Sequence, residues 1–176
     1  NNGLPIFALK PAPVQVSWWM GFAYGTGIKA VDYFLADHEM LPEGCEPYFA
    51  ERPWRMSGIS VAYKPVDVMG ETSELPALNN GFITFGSLTR PVRLNHRVIR
   101  VWAELLRRLP TARLVIDSRA FKEPELAEHY KQKFAAYGIG EERLQLGYSS
   151  PVADVYRRLD IALDCFPHNS GTTLYE

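Results

Sequence analysis

The sequence predicts an α/β protein whose C-terminal part is a doubly wound parallel sheet. Beyond Gly81, apolar runs and amphipathic segments alternate as βαβαβαβ, and strands alternating with helices imply parallel pairing through right-handed crossovers. Pro and Gly stand where those segments start and stop, the positions at which each residue helps a helix begin or end. The 176 residues are 47% hydrophobic and 22% charged, enough apolar material for a packed core.

The first 64 residues carry short β-like runs separated by Pro and Gly, the clearest being PVQVSWW at 13–19, DYFLAD at 32–37 and ISVAY at 59–63. They read as part of a domain, 1–64. Gly21, Gly25 and Gly27 follow the first run, where the backbone must reach unusual φ values or approach a neighbour closely. Trp18, Trp19, Phe22 and Tyr24 beside them read as a core or interface cluster. GFAYGTG lacks the third glycine and the strand–turn–helix setting of a dinucleotide fingerprint. From Lys64 to Gly81, KPVDVMGETSELPALNNG is polar, turn-rich and without periodicity, which predicts a linker over 65–80 and a second domain over 81–176.

In that second domain GFITFGS (81–87) predicts the first strand. A helix over 95–109 follows, with Asn95 as N-cap, a buried stripe of Val98, Val101, Trp102, Leu105 and Leu109, and Pro110 as its stop. ARLVIDS (112–118) is the second strand, and Pro124 and Gly138 bound a helix over 123–137. RLQLGY (143–148) is the third strand, a short helix over 151–159 has Pro151 in its first turn, and IALDCF (161–166) is the fourth strand. PHNSGTTLYE then opens a fourth helix that stops about one turn in, so the pattern reads as a truncated fragment.

Nineteen Lys and Arg against 20 Asp and Glu give a net charge of -1, which excludes a broad basic surface for nucleic acid. No apolar run approaches a membrane span and no signal peptide opens the chain, so a cytoplasmic setting without membrane contact is the default. Cys45 and Cys165 stand alone, without CxxC or metal-spaced His, so neither a disulfide nor a metal site is expected.

With strand order 3-2-1-4, the loops after strands one and four meet at the switch point where such sheets bind ligands. The first loop holds Arg90 and Arg93. The second holds His168 and then Ser170, Gly171, Thr172 and Thr173 at a helix start. Backbone N–H groups, Thr hydroxyls and an opposing guanidinium suit a nucleotide diphosphate, with Glu176 one turn on for ribose hydroxyls. The same residues admit a plainer reading, because Thr173 and Glu176 also fit a capping box that needs no ligand. Asp160 and Asp164 bracket the fourth strand and read as structural. His38, His96 and His129 have no partner pattern.

Taken together, APVQVSWWMGFAYGTGIKAVDY (12–33), GFITFGSLTRPVRLNHRVIRVWAELLRRLP (81–110), RLQLGY and VYRRLDIALDCFPHNSGTT (155–173) resemble the catalytic region of the O-GlcNAc transferase and SPINDLY family, of the bacterial type. The resemblance implies the GT-B fold, two Rossmann-like domains: 1–64 would end the N-terminal, acceptor-side domain and 81–176 begin the nucleotide-sugar-binding one, with tetratricopeptide repeats upstream. It implies a metal-independent, inverting transfer of N-acetylglucosamine from UDP-GlcNAc to Ser or Thr of a protein or peptide acceptor, with no cofactor, in a fragment not expected to be active alone. GDP-fucose as donor, as in the SPINDLY branch, and a non-catalytic nucleotide-sugar-binding module are the alternatives. A family lysine that neutralises the leaving diphosphate falls on Arg93, the implied catalytic residue, and a family Gln or Asn falls on Arg90. The diphosphate-binding Thr pair falls on Thr172 and Thr173, and the ribose-binding acid on Glu176. The family's WLGYPGTTG loop, whose backbone approaches the sugar, matches at Gly21, Thr26 and Gly27 and departs at Ala23 and Tyr24.

Overall fold

The computed structural model describes residues 3–18, 25–64 and 67–176. It divides into two compact units, 1–64 and 65–176, each with its own parallel sheet.

The first unit holds α1 (Leu4–Ala8), β1 (Val16–Ser17), β2 (Tyr33–Asp37) and β3 (Arg52–Met56), in the order β1-β2-β3. Tyr33 is registered with Val16 on one side and Arg52 on the other. Phe34 and Ala36 point to the opposite face and pack with Leu41, Met40, Cys45 and Phe49 in a small core. One expectation is corrected here. RPWRM, not ISVAY, supplies the third strand: among the described residues β3 pairs with β2 alone, and on such an edge the missing N–H of Pro53 breaks no ladder. Within 59–63, Ser60 instead gives its N–H and its hydroxyl to the Asp37 carboxylate, both at 2.8 Å, while Met40 N–H adds a third bond at 2.9 Å.

The glycines after β1 have specific reasons. Gly27 has φ +71, and a Cβ on Gly25 would lie 2.9 Å from Glu51 Oε2 and 3.1 Å from the Phe49 ring. Glu51 is 2% exposed and accepts both the N–H and the hydroxyl of Thr26, whose own oxygen accepts the Ile28 N–H at 3.1 Å. Trp18 is 47% exposed and donates to Ser60 O at 3.0 Å. The rest of the proposed aromatic cluster, Trp19, Phe22 and Tyr24, lies outside the described residues.

The second unit runs α2 (Pro76–Asn80), β4 (Thr84–Ser87), α3 (His96–Arg108), β5 (Arg113–Asp117), α4 (Pro124–Ala135), β6 (Leu144–Gly147), α5 (Ala153–Tyr156), β7 (Ile161–Ala162) and α6 (Thr172–Tyr175). Its strands are all parallel in the order β6-β5-β4-β7, the doubly wound 3-2-1-4 arrangement. The described part of the expected linker, 67–80, is bonded to this unit. Asp160 accepts N–H groups from Ala77 at 2.7 Å and Thr84 at 2.8 Å, and Arg157 donates to Met69 O at 2.7 Å, so α2 and the segment before it are fastened to this unit.

Helix α3 buries Val98, Ile99, Trp102, Ala103 and Leu106 against Leu114, Ile116 and Phe134. The expected stripe is therefore rotated: Val101 is 46% and Leu109 38% exposed. Ile99 and Val101 are equally apolar, and the position of the sheet decides which of them faces it. Asn95 caps the helix by accepting from Arg97 N and Val98 N, and Gly138, at φ +79, follows α4. Pro151 stands two residues ahead of α5 instead of inside its first turn. β7 is shorter than IALDCF, because after Leu163 N donates to Gly86 O at 2.7 Å the chain turns at Asp164.

Gly86 is fixed by space. A Cβ there would meet Leu159 side-chain atoms at 2.2 to 2.7 Å, so Gly86→Ala should lose about 1–3 kcal/mol in urea unfolding, and Leu159→Ala in the same chain should recover part of it. Equal stability of Gly86→Ala and the parent would show that Leu159 moves aside freely. A second outcome concerns acid. The Ser60 and Met40 donors hold the Asp37 carboxyl below its ordinary value of 3.8, so this stabilisation is complete above that value and fades as pH falls through the lower native one. Asp37→Asn should flatten that acid limb in urea midpoints measured from about pH 5 to about pH 2.

Candidate nucleotide-diphosphate site

The carboxyl ends of β4 and β7 lie side by side, with Phe85 registered to Ile161 and Gly86 to Ala162. The loop leaving β4 makes a 3₁₀ turn at Pro91–Arg93, which Tyr130 holds by donating from its hydroxyl to Pro91 O at 2.7 Å. The loop leaving β7 is folded on Asp164, whose Oδ1 accepts the N–H groups of Cys165 at 2.7 Å and Ser170 at 2.8 Å. Side-chain bonds cross between the loops, among them Arg93 Nη1 to Ser170 Oγ at 3.3 Å and Asn95 Nδ2 to Phe166 O at 2.7 Å.

Between them lies a cavity of about 230 Å³ lined by Arg90, Val92, Arg93, Asn95, Phe166, Pro167 and His168. The structure thus brings Arg90, Arg93 and His168 together. Among the described residues neither arginine has a carboxylate partner, and Arg93 Nε is buried without a hydrogen bond. Burial pushes the Cys165 thiol above its ordinary value, against the opposing pull of Thr89 and Arg93. A buried donor without an acceptor costs about 1–3 kcal/mol, so this wall is suited to an anion.

The Thr pair sits differently. Gly171 is the N-cap of α6, with no side-chain cap bond, so the capping box expected from Thr173 and Glu176 does not form. The Tyr156 hydroxyl, carried by α5, instead lies 2.8 Å from Glu176 Oε2 and 3.0 Å from Thr173 O. Thr173 and Glu176 line a separate cavity of about 320 Å³ with Tyr156 and Asp160, and Thr172 is exposed. Gly21 and Ala23 lie outside the described residues. His38, His96 and His129 are exposed. Sequence reasoning missed the cross-loop bond of Asn95 and the roles of Tyr156, Tyr130 and Ser170. Only Asp164, a carboxylate just after a strand and before a turn-rich stretch, left a local signal.

A larger cleft of about 860 Å³ opens at the start of the strands, beside Thr84, Arg113 and Leu144. Doubly wound sheets bind ligands at the opposite, carboxyl end, where the arginine loop is. No three His, Cys, Asp or Glu side chains among the described residues cluster as a metal site would require, and no helix among them is long and apolar enough to cross a membrane.

Fold and site together define an α/β chain of the GT-B glycosyltransferase type. A solved structure of a Thermobaculum terrenum O-GlcNAc transferase, a Lys-to-Met variant, superposes with a TM-score of 0.84 at 30% identity, over 95% of this chain and 32% of that one. More particularly, the chain is a homologue of the SPINDLY and O-GlcNAc transferase family along its whole length. It is 31% identical to a probable UDP-N-acetylglucosamine–peptide N-acetylglucosaminyltransferase SPINDLY of Petunia hybrida and 32% identical to that of Arabidopsis thaliana, each across all of this chain. The similarly named SEC of Arabidopsis thaliana is 25% identical over 95% of it. The chain spans about a fifth of the length of these curated relatives, 19%, 20% and 18%. No family model matches it.

The buried thiol gives a check on how closed the loop is. In native protein at about pH 8, iodoacetamide should label the half-buried Cys45 well before Cys165, read by peptide mass spectrometry. Equal labelling rates would mean that the loop after β7 opens readily.

Proposed function

We propose that this chain is the nucleotide-sugar-binding part of a protein O-GlcNAc transferase, acting in metal-independent, inverting transfer of N-acetylglucosamine from UDP-GlcNAc to Ser or Thr of a protein or peptide acceptor. The observation that carries the reading is the Arg93 guanidinium at the β4–β7 switch point, without a carboxylate partner and with its Nε buried and unbonded. In that place it would meet the charge that grows on the diphosphate as the sugar leaves. A preorganised cation there stabilises the transition state more than the ground state. Arg90 stands on the same cavity wall and can add a second contact. The Thr172 and Thr173 hydroxyls make no hydrogen bond among the described residues, so they remain available as donors. The relatives' names support UDP-GlcNAc as the donor.

An arginine where the family has a lysine keeps the charge but replaces a mobile point donor with a planar fork, which favours two-point contact with phosphate oxygens. Calorimetry with UDP and with GDP on the full chain tests the assignment. Arg93→Ala should weaken UDP binding by about 1.5–3 kcal/mol, the range for a hydrogen bond to a charged group. The Thr172→Ala, Thr173→Ala double variant should reduce the thermal shift given by UDP, because a ligand stabilises the native state only through its affinity for it. Unchanged UDP affinity in a folded Arg93→Ala variant would remove the role from this residue. Preference for GDP would move the reading to a fucosyl donor.

A further inference from the structure

Asn95 uses both ends of its side chain at once. Its Oδ1 accepts from Arg97 N at 2.9 Å and Val98 N at 3.1 Å, capping α3, while its Nδ2 donates to Phe166 O at 2.7 Å, 71 residues along the chain. This set of partners fixes the amide's orientation, since two donors face one end and a carbonyl faces the other. Ser, Thr or Asp would cap the helix as well as Asn. What the amide alone adds is a donor long enough to reach the loop after β7.

We propose that Asn95 is a positioning residue that holds the two walls of the 230 Å³ cavity at a fixed spacing when Arg93 takes an anion. The inference rests on the reading of that cavity as a phosphate site. The Arg93–Ser170 and Asn95–Phe166 bonds both join the loops. The Arg93–Ser170 bond, at 3.3 Å, is long and uses one N–H of a guanidinium whose Nε is unbonded, so it is the weaker tie once an anion competes for that side chain. The Asn95–Phe166 bond is short, involves no charged group and demands nothing of the ligand. It ties the start of a helix buried along one face to the segment carrying Pro167, His168 and Ser170, whatever the guanidinium binds. Preorganisation of this kind lowers the ordering cost that a ligand would otherwise bear.

The test compares Asn95→Asp with Asn95→Ala in the full chain. Asp keeps an acceptor for the helix N–H groups but has no donor for Phe166 O; Ala has neither. A positioning role predicts about tenfold weaker UDP binding in both variants, with first-turn amides of α3 losing hydrogen-exchange protection only in Asn95→Ala. It also predicts, without any nucleotide, about tenfold faster exchange of the Ser170 and Cys165 amides in Asn95→Asp. If Asn95→Asp binds UDP as the parent does and its loop amides are unchanged, Asn95 is a helix cap alone and the proposal is overturned. If the parent binds neither UDP nor GDP, the nucleotide reading fails, and the exchange of the loop amides still decides whether Asn95 spaces the walls.

Discussion

A side chain at Gly86 would occupy the place of Leu159, and from that exclusion the arrangement of the second unit follows. With no Cβ in the way, Leu159 lies across β4, and the next residue, Asp160, gives its N–H to Thr84 O at 2.9 Å while its carboxylate takes the N–H groups of Thr84 and Ala77. β7 is thereby laid beside β4 after only two registered pairs. Such a short strand has little ladder energy of its own, so the packing at Gly86 and the Asp160 clamp place it. Once β7 is adjacent to β4, the loops that leave the two strands have to face each other, and Arg93, Asn95, Phe166 and Ser170 come within bonding reach.

The charges on this unit are distributed unevenly with respect to that junction. Glu104 takes Arg107 and Arg108, and Lys131 takes Glu128 and Glu141, all on exposed helix faces. Ion pairs of that kind contribute little to stability. At the switch point the pattern is reversed: among the described residues Arg90 and Arg93 have no carboxylate partner, and Asp164, the acid in the loop after β7, spends Oδ1 on two backbone N–H groups. A half-buried arginine without a counterion contributes little ion-pair energy to the fold, which is why the proposed reading gives it an anion.

The second unit was largely legible in the sequence because local signals there agree with one another. Each of the four apolar runs contains a strand, Asn95, Pro124 and Gly138 mark helix ends that the structure keeps, and the strand order follows from the topology of parallel crossovers. The failures share a cause. RPWRM carries a proline that only an edge strand tolerates, and ISVAY has a strand's composition but spends Ser60 on Asp37. In α3 the sequence offers two overlapping apolar rows, and only the sheet's location selects Ile99 over Val101. Within the site, Arg93 could be placed by topology because it stands just after a strand. The bonds of Asn95 to Phe166 and of Tyr156 to Glu176 join residues 71 and 20 apart, and no local pattern encodes them.

Both charged groups assigned to the nucleotide already hold a partner inside the protein, Arg93 on Ser170 and Glu176 on Tyr156. The cost of binding then depends on what each would have to release. For Arg93 nothing need be released: its Nε is unbonded, and a phosphate oxygen offers a charge-assisted bond of roughly twice the strength of a neutral one. Ser170 Oγ, the acceptor towards Arg93, keeps its own O–H to donate. For Glu176 the partner is the Tyr156 hydroxyl, which lies 3.0 Å from Thr173 O as well. Were the carboxylate to turn to a ribose hydroxyl, the phenol O–H would keep a hydrogen-bond acceptor in that carbonyl. In the proposed reading, this second acceptor beside Tyr156 would let Glu176 exchange its partner without leaving the phenol unbonded.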